Sequence, residues 1–328
     1  MKNLFVALVL VVSVAGFSAS LNDVLQTALA SSTDYQIAQI DLETATMDYE
    51  KAKLEATNRK SELSAELSYY NNLQNYRSSL KSVYQDVLGR IFDLLIAEVS
   101  YESAQINFEN AQEDHRTNQE LFKKNLISEN DLKDSELTLE EASNNLLSAK
   151  YDLDEAKKNY EELFSVEASE IELPLVDFHD LVSEDEYLDN LLSVKIAETN
   201  MKIAEYDLNN LSAAASKYER RTAELAYQKA RMNYEKVLKE AKNTYRSTIN
   251  SLEVMLSNLK VLKERIDLNE SILKDYQDRY EKGLISKKEL NAQKINLLNA
   301  RKNYLNSLQN YYNTIITLLI DAGKDVSF

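Results

Sequence analysis

Two histidines, no cysteine and no tryptophan in 328 residues leave few side chains able to perform chemistry. Thiol nucleophiles, disulfides, iron–sulfur clusters and Cys/His zinc sites are excluded. His115 stands in Glu113-Asp114-His115-Arg116 with no second histidine near it and reads as a solvated helix-face residue, and His179 stands alone. The acids that draw notice are Asp131 and Glu289, each three residues past a serine that closes a Leu-Ile-Ser or Ile-Ser run. An acid in the first turn of a helix is favoured by the macrodipole. No catalytic residue, cofactor or metal ligand is expected, and an enzyme is not. The balance of 38 Lys and Arg against 54 Asp and Glu, a net charge of −16, repels a phosphate backbone, so nucleic acid is not an expected partner.

Only 4 Gly and 1 Pro are present, too few to reverse the strands of a sandwich, a propeller or an ordinary α/β fold. Long helices remain, giving an all-α expectation with little or no β. Residues 1–20 pair Lys2 with an apolar run from Leu4 to Val14 and end in Ser18-Ala19-Ser20, the pattern of an export signal with a small-x-small cleavage site. A location outside the inner membrane is expected.

The rest of the chain repeats itself. Asn125-Leu126-Ile127-Ser128 matches Gly283-Leu284-Ile285-Ser286, with Leu132 on Leu290, Leu139 on Leu297 and Ala142 on Ala300 at one offset. The expected organisation is a first helical repeat at 21–165, a linker at 166–182 holding Pro174, a second repeat at 183–323 and a tail at 324–328. Each repeat reads as three helices; in the first, these are one from near Leu21 to Thr57, a long one ending at Asn125, and one from Ser128 to Phe164. Ser128 and Ser286 are N-cap candidates, while Gly283 and Asn125 suit a left-handed C-cap. Alanines recur at heptad spacing as Ala38, Ala45 and Ala52, as Ala97, Ala104 and Ala111, and as Ala142, Ala149 and Ala156. Larger seams run through Leu73, Tyr76, Leu80, Val83 and Val87, and through Ile249, Leu252, Leu256, Leu259 and Ile266. Small residues at that spacing let helices approach closely. The twenty tyrosines are expected at interfaces, with an apolar body and a wet tip.

With these features the chain resembles the TolC-like outer-membrane efflux proteins. The residues that carry the resemblance are Leu21-Asn22-Asp23-Val24-Leu25 through Ala28-Leu29, the turn Lys124 to Ser128 with Asp131-Leu132, and the turn Lys282 to Ser286 with Glu289-Leu290. The resemblance implies a homotrimer forming an α-helical barrel, a passive conduit across the periplasm that docks to a periplasmic adaptor coupled to an inner-membrane pump. It implies docking tips at Asn125, Leu126, Ile127, Ser128, Gly283, Leu284, Ile285 and Ser286, and gate acids at Asp131 and Glu289. Ala292 stands where the family carries a further acid. Two other readings stay open: Leu126 and Leu284 could pack back onto their own hairpins as capping contacts, and the protein could be an exported coiled-coil spacer without a bore. The family also inserts a β-hairpin between the first and second helix of each repeat to close a barrel in the outer membrane. Neither place offers a glycine or proline turn or a clear alternating strand pattern, so that barrel is expected to be reduced or absent.

Overall fold

The computed structural model describes residues 19–328; most of the expected export signal lies outside the described residues. Its last two positions, Ala19–Ser20, form β1, which pairs in parallel with β2 at Ile171–Glu172. The α-helices are α1 (Leu21–Ser31), α2 (Thr33–Glu55), α3 (Arg59–Lys123), α4 (Glu129–Glu161), α5 (Glu184–Asn190), α6 (Leu192–Asn209), α7 (Lys217–Glu281) and α8 (Lys287–Asp321). The duplication is plain in the lengths, since α3 and α7 each have 65 residues. At 1.5 Å per residue each is about 97 Å long.

The first helix of each repeat is broken, where one continuous helix was expected from Leu21 to Thr57. Ser32 adopts extended backbone (φ −74°, ψ 120°), and its hydroxyl accepts from the Tyr35 N–H, so it ends α1 and caps α2. Leu191 plays the corresponding part between α5 and α6 with φ −71° and ψ 115°.

The helices form a wall. At its centre α3 packs on α2 and α4 along one flank and on α6 and α8 along the other; α6 and α8 in turn pack on α7. This leaves α2 and α4 along one edge and α7 along the opposite edge. The residues of both expected seams are buried or half-buried, as are the alanines at heptad spacing. Where the two repeats meet, a thicker core gathers Leu25 and Leu29 of α1, Leu88, Ile91 and Phe92 of α3, and Tyr311, Tyr312 and Ile315 of α8.

The segment between the repeats is a packed belt. Tyr311 and Tyr312 donate their hydroxyls to the carbonyls of Val176 and Pro174, both at 2.6 Å, and Tyr245 donates to the Val182 carbonyl at 2.8 Å. Phe178 is buried. Tyr84, Tyr160, Tyr187, Tyr311 and Tyr312 are all buried within the chain, which for these five corrects the expectation of tyrosines at wet interfaces. A buried phenol needs an acceptor, and the irregular belt supplies carbonyls that no helix uses. Burial pushes the hydroxyls of Tyr160, Tyr187 and Tyr311 up to about 12.

Candidate docking and gating site

Both Leu-Ile-Ser reversals lie at one end of the wall, and their geometry follows from three residues each. Asn125 (φ 55°) and Gly283 (φ 67°) hold left-handed backbone. Around them the chain closes in the same way: the Leu126 N–H donates to the Leu121 carbonyl at 3.0 Å and that of Asn125 to Phe122 at 2.9 Å, while Leu284 donates to Arg279 and Gly283 to Tyr280, both at 2.9 Å. These are Schellman closures, in which the orphan carbonyls of a helix end are satisfied by the two residues beyond it.

Ser128 and Ser286 then start the returning helices. The Asp131 N–H donates to the Ser128 hydroxyl at 3.2 Å, and the Asp131 carboxylate accepts from the Ser128 N–H at 2.9 Å and hydroxyl at 2.7 Å. Glu289 repeats this with Ser286, accepting from its N–H at 2.7 Å and its hydroxyl at 2.8 Å. The Ser128 hydroxyl and then its N–H hold the Asp131 carboxyl below its ordinary value; for Glu289 the Ser286 N–H comes first and the hydroxyl second. Each pair is a capping box. The same device joins Ser216 to Glu219 at the far end of the wall, so placing an acid three residues after a serine serves helix initiation wherever it occurs. At both tips only one carboxylate oxygen is engaged; the other makes no hydrogen bond among the described residues.

The two tips are stitched side by side. Lys287 pairs with Glu109 at 3.0 Å, Lys288 with Asp114 at 2.6 Å, and the buried Asn291 amide donates to Asn110 at 2.7 Å. Sequence reasoning missed these contacts, although Lys287 and Lys288 gave a signal: two cations in the first turn oppose the helix dipole and call for acids elsewhere. His115 is also more engaged than expected. It is half-buried, with Nδ1 2.9 Å from the Ser135 hydroxyl across the α3–α4 hairpin and Nε2 2.8 Å from the Gln119 side-chain nitrogen. No group of three or more His, Asp or Glu suited to a metal is gathered among the described residues.

At the rim, Leu126 is 66% and Leu284 67% exposed, with Ile127 and Ile285 half-buried beneath them and Phe122 and Tyr280 exposed beside them. At the opposite end, Ala56–Asn58 alone connect α2 to α3, and residues 210–216 connect α6 to α7. Among the described residues β1 and β2 are the sole strands, so neither connection holds a β-hairpin.

No family model and no curated protein matches the sequence. Solved structures do. The open-state MtrE outer membrane channel of Neisseria gonorrhoeae superposes with a TM-score of 0.58 at 14% identity, over 92% of this chain and 88% of that one. The CmeC outer membrane channel of Campylobacter jejuni gives 0.55 at 15% identity, over 92% and 85%. The outer membrane protein VceC of Vibrio cholerae gives 0.56 at 11% identity, over 92% and 96%. The chain has the TolC-like fold. Within the TolC-like fold, this chain keeps the duplicated helical wall and reduces the strand segments to direct helix-to-helix turns.

Proposed function

We propose that three copies of the chain close into a hollow α-helical barrel that acts as the passive channel component of a tripartite export or efflux system. The barrel stands in the periplasm and reaches toward the outer membrane. Its tips, formed by Asn125 to Ser128 and Gly283 to Ser286, dock onto a periplasmic adaptor coupled to an inner-membrane pump. The free carboxylate oxygens of Asp131 and Glu289 face the passage as gate acids. The observation that carries this reading is the open wall. Among the described residues, all seventeen exposed large apolar side chains lie on α2, α4, α7 or the tips. A monomer leaving two such edges in water is poorly stable, and unlike edges that face opposite ways join head to tail until a ring closes. A wall with a central helix packed on both flanks also favours a ring over a solid coiled-coil spacer.

Solution mass measurement and negative-stain imaging of the purified protein test the reading. A trimer seen as a hollow cylinder is expected; a thin solid rod would favour the spacer, and a monodisperse folded monomer would overturn both. Leu126→Asp and Leu284→Asp should keep the circular dichroism of the parent and abolish adaptor capture in a pull-down. Unchanged capture by the folded variants would remove the docking role.

A further inference from the structure

The two edges of the wall carry matching rows. On α2, Ile40, Met47 and Leu54 are exposed at successive heptad positions, and on the opening part of α7 Tyr218, Leu225 and Met232 repeat that spacing. Leu54 and Tyr218, nearest the hairpin-free end, are 88% and 79% exposed. Each row lies across its helix from the side that packs within the copy, which is Ala38 and Ala45 on α2 and Tyr234 and Ala241 on α7. Helix α2 ends, and α7 begins, at the same end of the wall, where Lys60 at the start of α3 pairs with Asp207 at the end of α6 at 2.7 Å. The two helices therefore run antiparallel, and each step of seven along one is matched by a step of seven along the other.

Charge follows the same division. Helix α2 has six acidic and two basic residues, whereas Lys217–Lys239 has seven basic and three acidic. Among the described residues Glu43, Asp48 and Glu50 make no ion pair within the copy, and neither do Lys217, Lys229 and Lys239. The lower part of the edge differs. Helix α4 has ten acidic and four basic residues, and Asn250–Glu281 of α7 has seven and five. On α7 the exposed row also shifts phase there: Val254, Val261 and Leu268 follow Met232 after 22 positions, one more than three heptads. The shift falls where the opposite edge passes from α2 to α4.

We propose that α2 of one copy pairs with the opening part of α7 of a second copy in a single register, Leu54 level with Tyr218, Met47 with Leu225 and Ile40 with Met232. This register sets Glu43 level with Lys229 and Glu55 level with Lys217. It rests on the ring reading above and specifies how the end that lacks strands is joined: by an oppositely charged, apolar-centred helix pair.

Because the sequence has no cysteine, introduced pairs report alone. Met47→Cys with Leu225→Cys in the full chain should, on oxidation, yield covalent dimers and trimers on a non-reducing gel. Met47→Cys with Met232→Cys is one heptad out of register, about 10.5 Å along the axis, beyond the roughly 4.4–6.8 Å Cα separation that a disulfide spans, and should lose that product. Lys229→Glu should weaken the first cross-link and added Glu43→Lys restore it. An oligomer by mass in which the in-register pair fails to link, or the offset pair links better, would overturn the register and leave the ring standing. A monomer by mass with neither pair linked would overturn both.

Discussion

Asn22 and Phe328, 306 positions apart, hold each other through a reciprocal amide pair: the Asn22 Nδ2 donates to the Phe328 carbonyl at 2.7 Å and the Phe328 N–H donates to Asn22 Oδ1 at 2.8 Å. The Phe328 ring lies 4.7 Å from that of Tyr312. One residue thus ties α1 to the far end of the chain over the core where the repeats meet. Asn22→Ala removes both bonds, each worth about 0.5–1.5 kcal/mol. The expected loss is about 1–3 kcal/mol, read by thermal melting, with an unchanged helical spectrum before the transition.

Gly283 and Gly323 both hold left-handed backbone, at φ 67° and 71°, but in different surroundings. A Cβ on Gly283 meets nothing within 4 Å, whereas one on Gly323 falls 2.5 Å from a guanidinium nitrogen of Arg77. That guanidinium donates to the carbonyls of Asn190 and Asp321 and so ties the second repeat to α3. Gly283→Ala should cost about 1–2 kcal/mol for the backbone alone, and Gly323→Ala more. Chemical denaturation of the two variants side by side checks the order.

Ala149 sits at the middle of the alanine row by which α4 lies on α3. Ala149→Leu should overpack that contact and cost about 1–3 kcal/mol. Lys150, exposed beside it, should tolerate the same change. Equal melting of the two variants would place the seam on another face of α4.

The tip caps depend on pH. The Asp131 and Glu289 carboxyls lie below their ordinary values of 3.8 and 4.5, so their contribution is present above those values and is lost as pH falls through the lowered ones. Amide exchange at residues 125–132 and 283–290, corrected for intrinsic rates, should lose protection on acidification below about pH 4. Asp131→Asn and Glu289→Gln should flatten the dependence at their own tips.

What could be read in advance was local and repeated. Asn125 and Gly283 mark left-handed caps because few other residues accept that backbone, and Ser128 and Ser286 mark helix starts because a hydroxyl satisfies an orphan N–H. The seams at Val83 and Leu252 follow from period alone. The break at Ser32 was less legible, since a serine inside a helical pattern is common and its capping depends on whether the chain must bend there. The buried tyrosines were hidden for another reason. A phenol reads as amphipathic in sequence, and only the course of the belt decides whether its hydroxyl meets water or the carbonyls of Pro174 and Val176. Contacts such as Asn110 with Asn291 depend on two hairpins lying side by side, which no single stretch encodes.

The charge division along the edges gives the two ends of the wall opposite responses to one variable. Salt screens attraction and repulsion alike over about 10 Å at 0.1 M. In the proposed ring, low salt would therefore strengthen the attraction between α2 and α7 and the repulsion wherever the acidic α4 comes to face the lower part of α7, while concentrated salt would weaken both. In the ring proposed above, a single change in ionic strength would thus act with opposite sign at the two ends of each joint between copies.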